Sequence, residues 1–290
     1  MKKNTGLALV VFAGLCGPVA AQDRPTVAMI GTGRVGGSLG PAIAALGYPL
    51  VYGSREPGRE SVRELVARSG PNASAADQRE AAARSDIIFL AVPAEALEEV
   101  SRSVGDLSGK IVVDMTSSLK RQAADGYLEL VSDTSNSERL QFWHPAARVV
   151  RMYIPTMVFF QDPLLLGTPP TVPIAANDPR AKEAVARIIF DIGLDPYDAG
   201  PLRMARSLDA MGLMFWVTAL QQRKQGYELR LMPSSLLSCF VNLAEGYEKP
   251  YDFDDLAQFP EREPPVPCDA WKLPDQGRDQ NGKDPAPESR

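Results

Sequence analysis

The stretch that decides the fold is TVAMIGTGRVGG, residues 26–37. A short apolar run predicts a buried strand, and a glycine-rich turn follows it. Apolar residues at helical spacing then continue to Leu46. Gly31, Gly33 and Gly36 form the pattern G-x-G-x-x-G between a strand and a helix, which is the context that a dinucleotide-binding turn requires. This stretch therefore predicts a nucleotide-binding α/β fold.

Each glycine of this turn has its own expected role. Gly31 would make the tight turn, Gly33 would let the backbone approach a pyrophosphate, and Gly36 would let the helix pack closely on the strand. The start of the helix would offer unpaired N–H groups and a partial positive charge to the phosphates. Pro41 falls inside this helix, removes one backbone hydrogen bond and predicts a local kink.

The end of the next strand indicates which dinucleotide binds. A strand predicted at Pro49 to Tyr52 is followed by Ser54 and Arg55 and, a little later, by Arg59. An NAD site places Asp or Glu there for the ribose 2′-OH, whereas a hydroxyl and two guanidinium groups suit a 2′-phosphate. The sequence therefore favours NADP. The alternative is that both arginines are solvated turn residues.

The chain continues with alternating strands and helices, which predicts a doubly wound parallel sheet of the Rossmann type. The predicted helices are Glu60–Ser69 and Ala94–Val104, a short strand and helix share Ala73–Ala83, and further strands are Asp86–Pro93, Ile111–Asp114 and Arg148–Tyr153. The polar sequence from Leu119 to Gln141 predicts a helix plus a loop. Ligands of such a sheet bind at the carboxyl ends of its strands.

Several residues at or near strand ends have two possible roles. Val92 and Pro93 could pack against the adenine or a ribose, or could simply end the strand. The hydroxyls of Thr116–Ser118 could line the nicotinamide cleft or cap the next helix. His144, the one histidine of the chain, could donate a proton near the nicotinamide or could be structural.

The second half predicts a smaller C-terminal α/β domain over residues 155–248, after a dinucleotide-binding domain over residues 22–154. The predicted elements are strands at Pro155–Phe160, Thr171–Ala175 and Leu194–Asp198, and helices at Asp178–Ile192 and Arg203–Gln222. The bulky residues of the last helix fit a core or a dimer interface. Residues 249–290 are rich in proline and charge, which is typical of a loosely attached tail.

Residues 1–21 have the pattern of a secretory signal, with Lys2 and Lys3 before a short apolar core and Val19-Ala20-Ala21 before Gln22. We expect a cleaved, exported protein in the periplasm or secreted, with a retained anchor as the alternative, because the core is too short for a stable membrane span. The net charge of −5, more negative after cleavage, argues against a nucleic-acid partner. Of its cysteines, Cys239 and Cys268 would remain, enough for one disulfide, and no metal-ligand spacing is present.

Taken together, the glycine turn, Gly53-Ser54-Arg55, Asp86–Pro93, Ala147–Val150 and Asp191–Leu202 resemble the NADP-dependent oxidoreductases that use the deazaflavin coenzyme F420. The stretch also resembles the related reductase domain of membrane metalloreductases. The resemblance covers about residues 26–235. It implies an NADP site, hydride transfer to or from a flavin- or deazaflavin-like ring held against the nicotinamide, and a homodimer. The residues that it implies bind NADP are Thr32, Gly33, Arg34, Val35, Ser54, Arg55 and Arg59.

The sequence leaves two other functions open. Ile154-Pro155 stands where this family has Asn-Thr near the cofactors, and it removes an amide that could orient a nicotinamide. With the export signal, it motivates a non-catalytic nucleotide-binding or interaction protein. Reduction of a small imine or keto acid is a further alternative, for which His144 is the candidate residue at the cleft. No side chain is an obligatory acid or base by sequence alone.

Overall fold

The structure is a computed structural model that describes residues 24–116, 120–125, 127–130, 132–217 and 228–231. The described residues as far as Leu229 belong to one compact unit. The predicted signal, both remaining cysteines and the predicted tail lie outside the described residues.

The centre of the molecule is a mostly parallel eight-stranded sheet, which confirms the predicted α/β fold class. Its strands are β1 (Val27–Ile30), β2 (Leu50–Gly53), β3 (Ala73–Ala76), β4 (Ile87–Leu90), β5 (Ile111–Asp114), β8 (Arg148–Met152), β9 (Thr171–Ala176) and β10 (Asp195–Asp198). Their order across the sheet is β10-β9-β8-β5-β4-β1-β2-β3. The chain winds from β1 towards β3 and then returns to place β4 on the other side of β1. The order of strands therefore reverses at the end of β1, where the glycine turn begins.

The central strands of the sheet are buried on both faces, as expected for parallel strands covered by helices. All four residues of β1, β2, β4 and β5 are buried. The covering helices are α1 (Arg34–Ala45), α2 (Glu60–Ser69), α3 (Gln78–Ala83), α4 (Leu97–Ser103), α5 (Asn136–Trp143), α6 (Pro179–Ile192) and α7 (Ala205–Gly212). The continuous apolar runs of the sequence are thus the two-sided core of the sheet.

The second half of the chain extends this same sheet rather than building one of its own. β9 pairs antiparallel with β8, and β10 pairs parallel with β9. The predicted strand at Pro155–Phe160 is wrong, because the chain there forms a short 3-10 helix, Met157–Phe160. Phe159 and Phe160 are adjacent and both buried, whereas a strand would send them to opposite faces. The 3-10 helix packs on α1.

The segment between β5 and β8 holds a small antiparallel hairpin ahead of its helix. The hairpin strands are β6 (Lys120–Gln122) and β7 (Leu128–Leu130). The predicted helix of this segment is α5, and its start is fixed by a capping box. Glu138 N donates to Ser135 Oγ at 3.2 Å, and Ser135 N donates to Glu138 Oε2 at 3.0 Å.

The last described helical segment changes its winding. α7 is followed by one π-helical turn, Leu213–Val217. The remainder of the helix predicted to Gln222 lies outside the described residues. The hairpin strand β7 contacts the π turn.

Pro41 lies inside α1, and the helix is continuous through it. Proline has no N–H, so the carbonyl of Gly37, four residues earlier, lacks its intrahelical donor. Arg68 of α2 supplies a replacement, because its Nη2 donates to Gly37 O at 2.8 Å. The hydrogen bond that the proline removes within α1 is therefore replaced by one that ties α1 to α2.

Candidate functional site

The glycine turn has a geometry that only glycine can adopt at two of its three positions. Gly31 has a φ of +111°, and a Cβ on it would collide with the carbonyl oxygen of Ala91. A Cβ on Gly36 would collide with the carbonyl oxygen of Gly31. A Cβ on Gly33 would meet no protein atom within 4 Å. The turn therefore closes on itself at Gly31 and Gly36, and it leaves open space in front of Gly33.

That open space faces the start of α1. Gly33 is the N-cap of the helix, no side chain caps it, and the first turn of α1 has no acidic residue. The N–H groups and partial positive charge at the helix start thus meet no negative side chain of the helix itself. Val92 lies against the same turn, since its Cγ1 is 3.4 Å from the position of a Cβ on Gly31. Val92 is half-buried, and Pro93 is exposed.

Ser54 and Arg55 follow β2 and stand at the same edge of the sheet. Ser54 is 7 % exposed, and its Oγ accepts a hydrogen bond from Glu56 N at 3.2 Å. Arg55 and Arg59 are exposed, as is Arg34 at the start of α1. Within the described part of the chain, no ion pair engages any of these three guanidinium groups. The edge thus carries a buried hydroxyl and uncompensated positive charge.

A cavity of about 250 Å³ lies between the beginning of α1 and α2. Its lining residues are Thr32, Gly33, Arg34, Gly37, Ser38, Ser61, Glu64, Leu65 and Arg68. Two guanidinium groups and three hydroxyls face one carboxylate there. The cavity is therefore polar, positively charged and continuous with the glycine turn.

His144 lies at the opposite edge of the sheet, away from the glycine turn. It follows α5 and precedes β8, and Ala146 accepts a hydrogen bond from Gly109 N, just ahead of β5. Burial lowers the pKa of His144, and the nearby Arg102 lowers it further, while Asp106 acts in the opposite sense. Its Nε2 is buried without a hydrogen-bond partner among the described residues. The structure thus separates His144 from the carboxyl ends of β1, β4 and β5.

Thr116 neither lines an open cleft nor caps a helix. It is 2 % exposed, and its Oγ1 accepts a hydrogen bond from Asn136 Nδ2 at 2.9 Å. Asp114 is fully buried beside it and accepts from Ser137 Oγ at 2.5 Å. These contacts attach the start of α5 beneath the end of β5. Ser117 and Ser118 lie outside the described residues.

Two ion pairs that the sequence analysis missed hold α7 in place. Arg151 of β8 donates from Nη2 to Asp209 Oδ1 at 2.8 Å, and both side chains are almost fully buried. Arg151 Nη1 also donates to the carbonyl oxygens of Asp114 and Met152. On the outer side, Arg206 donates to Glu138 of α5 from two nitrogens, at 2.6 and 2.8 Å.

The surroundings of Glu138 lower its pKa. Burial by itself would raise this pKa, but hydrogen bonds from Arg206 and Ser135 outweigh burial and lower it to about 2. The sequence contained one sign of the inner pair, a charged Arg151 directly after the apolar residues Val149 and Val150. Its partner is 58 residues away along the chain, so no local spacing indicated it.

The chain beyond β8 brings Tyr153 to the same edge as the glycine turn. Burial raises the pKa of Tyr153, and the carboxylate of Glu228 adds to this effect. Thr156 N donates to Glu228 Oε2 at 3.2 Å. Pro155, which replaces a threonine of the resembled family, is buried. On the side away from β2, this edge therefore carries the phenol of Tyr153 and the carboxylate of Glu228, and residue 154 has no side-chain amide.

No helix in the described ranges is both long and apolar enough to cross a membrane. No group of three or more His, Cys, Asp or Glu side chains in those ranges is placed to hold a metal ion.

One known family matches the nucleotide-binding part of the chain. Residues 26–118 match the family described as NADP oxidoreductase, coenzyme F420-dependent. The match begins one residue before β1 and includes the glycine turn, Ser54-Arg55 and the end of β5. It confirms the resemblance over residues 26–118 and agrees with the NADP cofactor and the oxidoreductase class that the sequence predicted.

A curated relative is the metalloreductase STEAP3 of Rattus norvegicus. It is 28% identical over 193 residues, which cover 66% of this chain and 37% of the rat protein. The chain thus spans little more than a third of the length of that relative.

Solved structures share the fold. A proposed F420-dependent NADP reductase from Arthrobacter sp. FB24 superposes with a TM-score of 0.64 at 23% identity, covering 72% of this chain and 100% of that chain. An imine reductase variant from Myxococcus stipitatus, in complex with NAD+, gives a TM-score of 0.52 at 22% identity, covering 66% and 60%. At these identities the likeness concerns the fold.

Proposed function

We propose that this chain, whose residues 26–118 match the family of F420-dependent NADP oxidoreductases, transfers hydride between NADP(H) and a flavin- or deazaflavin-like ring. The observation that carries the proposal is the open space before Gly33, at the edge where Arg34, Arg55 and Arg59 form no ion pair with any described residue. A backbone turn at a helix start accepts a pyrophosphate, and free arginines accept a further phosphate.

The binding residues divide by the part of NADP that they would contact. The backbone of Thr32, Gly33, Arg34 and Val35 would hold the pyrophosphate, while the side chains of Arg34, Ser54, Arg55 and Arg59 would hold the 2′-phosphate. Ser54 is suited to this role because its oxygen already accepts from Glu56 N, which leaves its own O–H as a donor. Val92 and Pro93 would border the adenosine across the turn.

The protein's contribution to the reaction would be alignment. The nicotinamide supplies the hydride chemistry, and the chain would hold two rings in contact and exclude water. The edge beyond β5 is suited to this task because Arg151, Asp209 and Asp114 form a buried network there. No charged side chain at this edge needs to become an acid or base.

The test is turnover by the purified full chain. NADPH oxidation would be followed with FMN, FAD, a deazaflavin and ferric citrate as separate acceptors. We expect oxidation above background with at least one of them, and its loss in Arg55→Glu. Micromolar NADPH binding without turnover by any acceptor would contradict the proposal and would favour a non-catalytic nucleotide-binding protein.

One observation favours that second function. Ile154 and the buried Pro155 occupy the end of β8, where an amide and a hydroxyl would otherwise face the nicotinamide. Replacing the pair together with Asn-Thr distinguishes the two functions. Acceleration of a measurable basal turnover supports the oxidoreductase, whereas turnover gained only in the variant supports a fold that has kept its nucleotide and lost its reaction.

Export and self-association complete the proposal. The signal-like residues 1–21 support an exported protein in the periplasm or secreted, which cell fractionation of the full chain tests. The family resemblance supports a homodimer, which light scattering tests. A monomer of 31.4 kDa at micromolar concentration would contradict the dimer.

A further inference from the structure

The contact between Arg68 and Gly37 exists because of Pro41. In an uninterrupted helix, the N–H of residue 41 would occupy the carbonyl of residue 37. Pro41 has no N–H, and Arg68 Nη2 reaches that carbonyl from the neighbouring helix at 2.8 Å. An exposed arginine is thereby attached at a fixed point, although it forms no ion pair with any described residue.

This attachment places the guanidinium beside the proposed nucleotide site. Arg68 and Gly37 both line the cavity between α1 and α2, together with Thr32, Gly33 and Arg34 of the turn. A guanidinium group has five N–H donors, and the contact to Gly37 uses one of them. The remaining donors belong to a side chain that lines the cavity.

The cavity lining matches the chemistry of a phosphate group. Arg34 and Arg68 contribute two positive charges against the one carboxylate of Glu64. Thr32, Ser38 and Ser61 add hydroxyl donors. Arginine binds phosphate through charge-assisted hydrogen bonds, and a guanidinium held in advance loses less freedom on binding.

We propose that Pro41 and Arg68 form a matched pair that makes Arg68 a specificity residue for the phosphate that NADP has and NAD lacks. The inference rests on the proposed NADP site and adds a residue to it. Pro41 acts as a positioning residue, since the gap that it opens in α1 is what fixes Arg68.

Nucleotide affinity tests the specificity. Dissociation constants for NADPH and NADH would be measured by calorimetry at low salt on the full chain. We expect Arg68→Met to raise the dissociation constant of NADPH by about tenfold, since one charged phosphate contact is lost, and to leave that of NADH within about twofold. Pro41→Ala returns an N–H donor to the Gly37 carbonyl and displaces the guanidinium. It should also raise the NADPH dissociation constant, but by less than Arg68→Met does.

Arg63→Met is the matched control. Arg63 is an exposed arginine of the same helix, and it does not line the cavity. We expect its NADPH dissociation constant to stay within about twofold of the parent's, because only a solvent-screened charge outside the cavity is removed. Equal losses in Arg63→Met and Arg68→Met would overturn the proposal in favour of a general charge effect.

A thermodynamic cycle tests the pairing without any nucleotide. Denaturant unfolding would compare Pro41→Ala, Arg68→Met and the double variant. Arg68→Met alone leaves the Gly37 carbonyl without a protein donor, and Pro41→Ala then restores one. We expect Pro41→Ala to stabilise the Arg68→Met protein more than the parent, whereas equal effects in both backgrounds would show that the residues are not coupled.

The two proposals fail in different ways. A parent chain that binds neither nucleotide would refute the NADP site, and the specificity role with it, while the unfolding cycle would still report on the pairing. A parent that binds NADPH far more tightly than NADH, and whose preference survives Arg68→Met, would refute the specificity role and leave the NADP site in place.

Discussion

The carbonyl oxygen of Gly31 lies where the side chain of residue 36 would begin. The turn and the first helical turn of α1 are therefore in backbone contact, which fixes the direction of the helix start. Gly33, between them, meets nothing within 4 Å at its own Cβ position. The same short motif thus contains one glycine required by the protein and one whose missing side chain leaves room for a ligand.

Gly33→Ala should therefore weaken nucleotide binding, whereas Gly36→Ala should lower stability. We expect Gly33→Ala to keep the melting temperature and lose at least about tenfold in NADPH affinity, because the added methyl occupies ligand space. Gly36→Ala should lower the free energy of unfolding by about 1–3 kcal/mol through overpacking. Calorimetry and denaturant unfolding on both variants measure this, and a destabilised Gly33→Ala would contradict the prediction.

Arg55→Glu should reverse the preference between the two dinucleotides. The new carboxylate repels a 2′-phosphate and accepts from a ribose 2′-OH. We expect NADPH to bind at least about tenfold more weakly and NADH no more weakly than before. Arg180→Glu, an equal charge change on α6, serves as the control. If both variants lower NADPH affinity alike, Arg55 is not a specific contact.

Removing one partner of the buried pair Arg151–Asp209 should destabilise the protein more than replacing both partners with apolar residues. Asp209→Leu or Arg151→Met alone leaves a buried charge without its ionic partner, so we expect each to lower the free energy of unfolding by about 3–5 kcal/mol. The double variant Arg151→Met/Asp209→Leu should recover most of that loss. Urea unfolding of the three proteins gives the coupling energy, and additive losses would show that the pair is not coupled.

His144→Gln should leave NADPH affinity and any turnover unchanged, because His144 lies at the far edge of the sheet. Burial lowers the pKa of this imidazole below its usual 6.5, so the unfolded chain takes up its proton first. The free energy of unfolding should therefore decrease as pH falls below 6.5, and this part of the decrease should vanish in His144→Gln. A loss of turnover in the variant would restore a catalytic role.

Glu138 should contribute to stability in a lower pH range. Its pKa falls from 4.5 to about 2 in the folded protein, so its contribution is complete above pH 4.5 and is lost as pH falls towards 2. Glu138→Gln keeps the capping geometry with Ser135 and removes the ion pair with Arg206. We expect the variant to show a flatter acid limb in unfolding curves collected across this range, and an unchanged slope would contradict the assignment.

The sequence predicted the fold well wherever the signal was local. The glycine turn, the apolar runs and the helix from Pro179 to Ile192 with its Asp178 cap all carry their structure within a few residues. The strand predicted at Pro155–Phe160 was wrong. Phe159 and Phe160 have high β propensity, and the segment is too short to show whether its apolar residues follow a helical or a strand period. The hairpin before α5 was missed for a similar reason, since its strands have three residues each.

The candidate site was predictable only in its nucleotide half. Gly31, Gly33, Ser54 and Arg55 directly follow two consecutive strands, so one motif and its spacing predicted them together. The arginine pairs depend on residues brought together by the whole sheet, as Arg151 and Asp209 are. Pro41 was recognisable as an anomaly in α1, but its replacement donor is on a different helix.

The end strand β10 has the sequence Asp195-Pro196-Tyr197-Asp198, and the described residues pair it on one side with β9. Its proline has no N–H to donate to a further strand, and Asp198 is already held by Lys182 of α6 at 2.7 Å. This margin of the sheet is thus protected against growth by strand addition, in the way that many natural β-sheets avoid fibril formation.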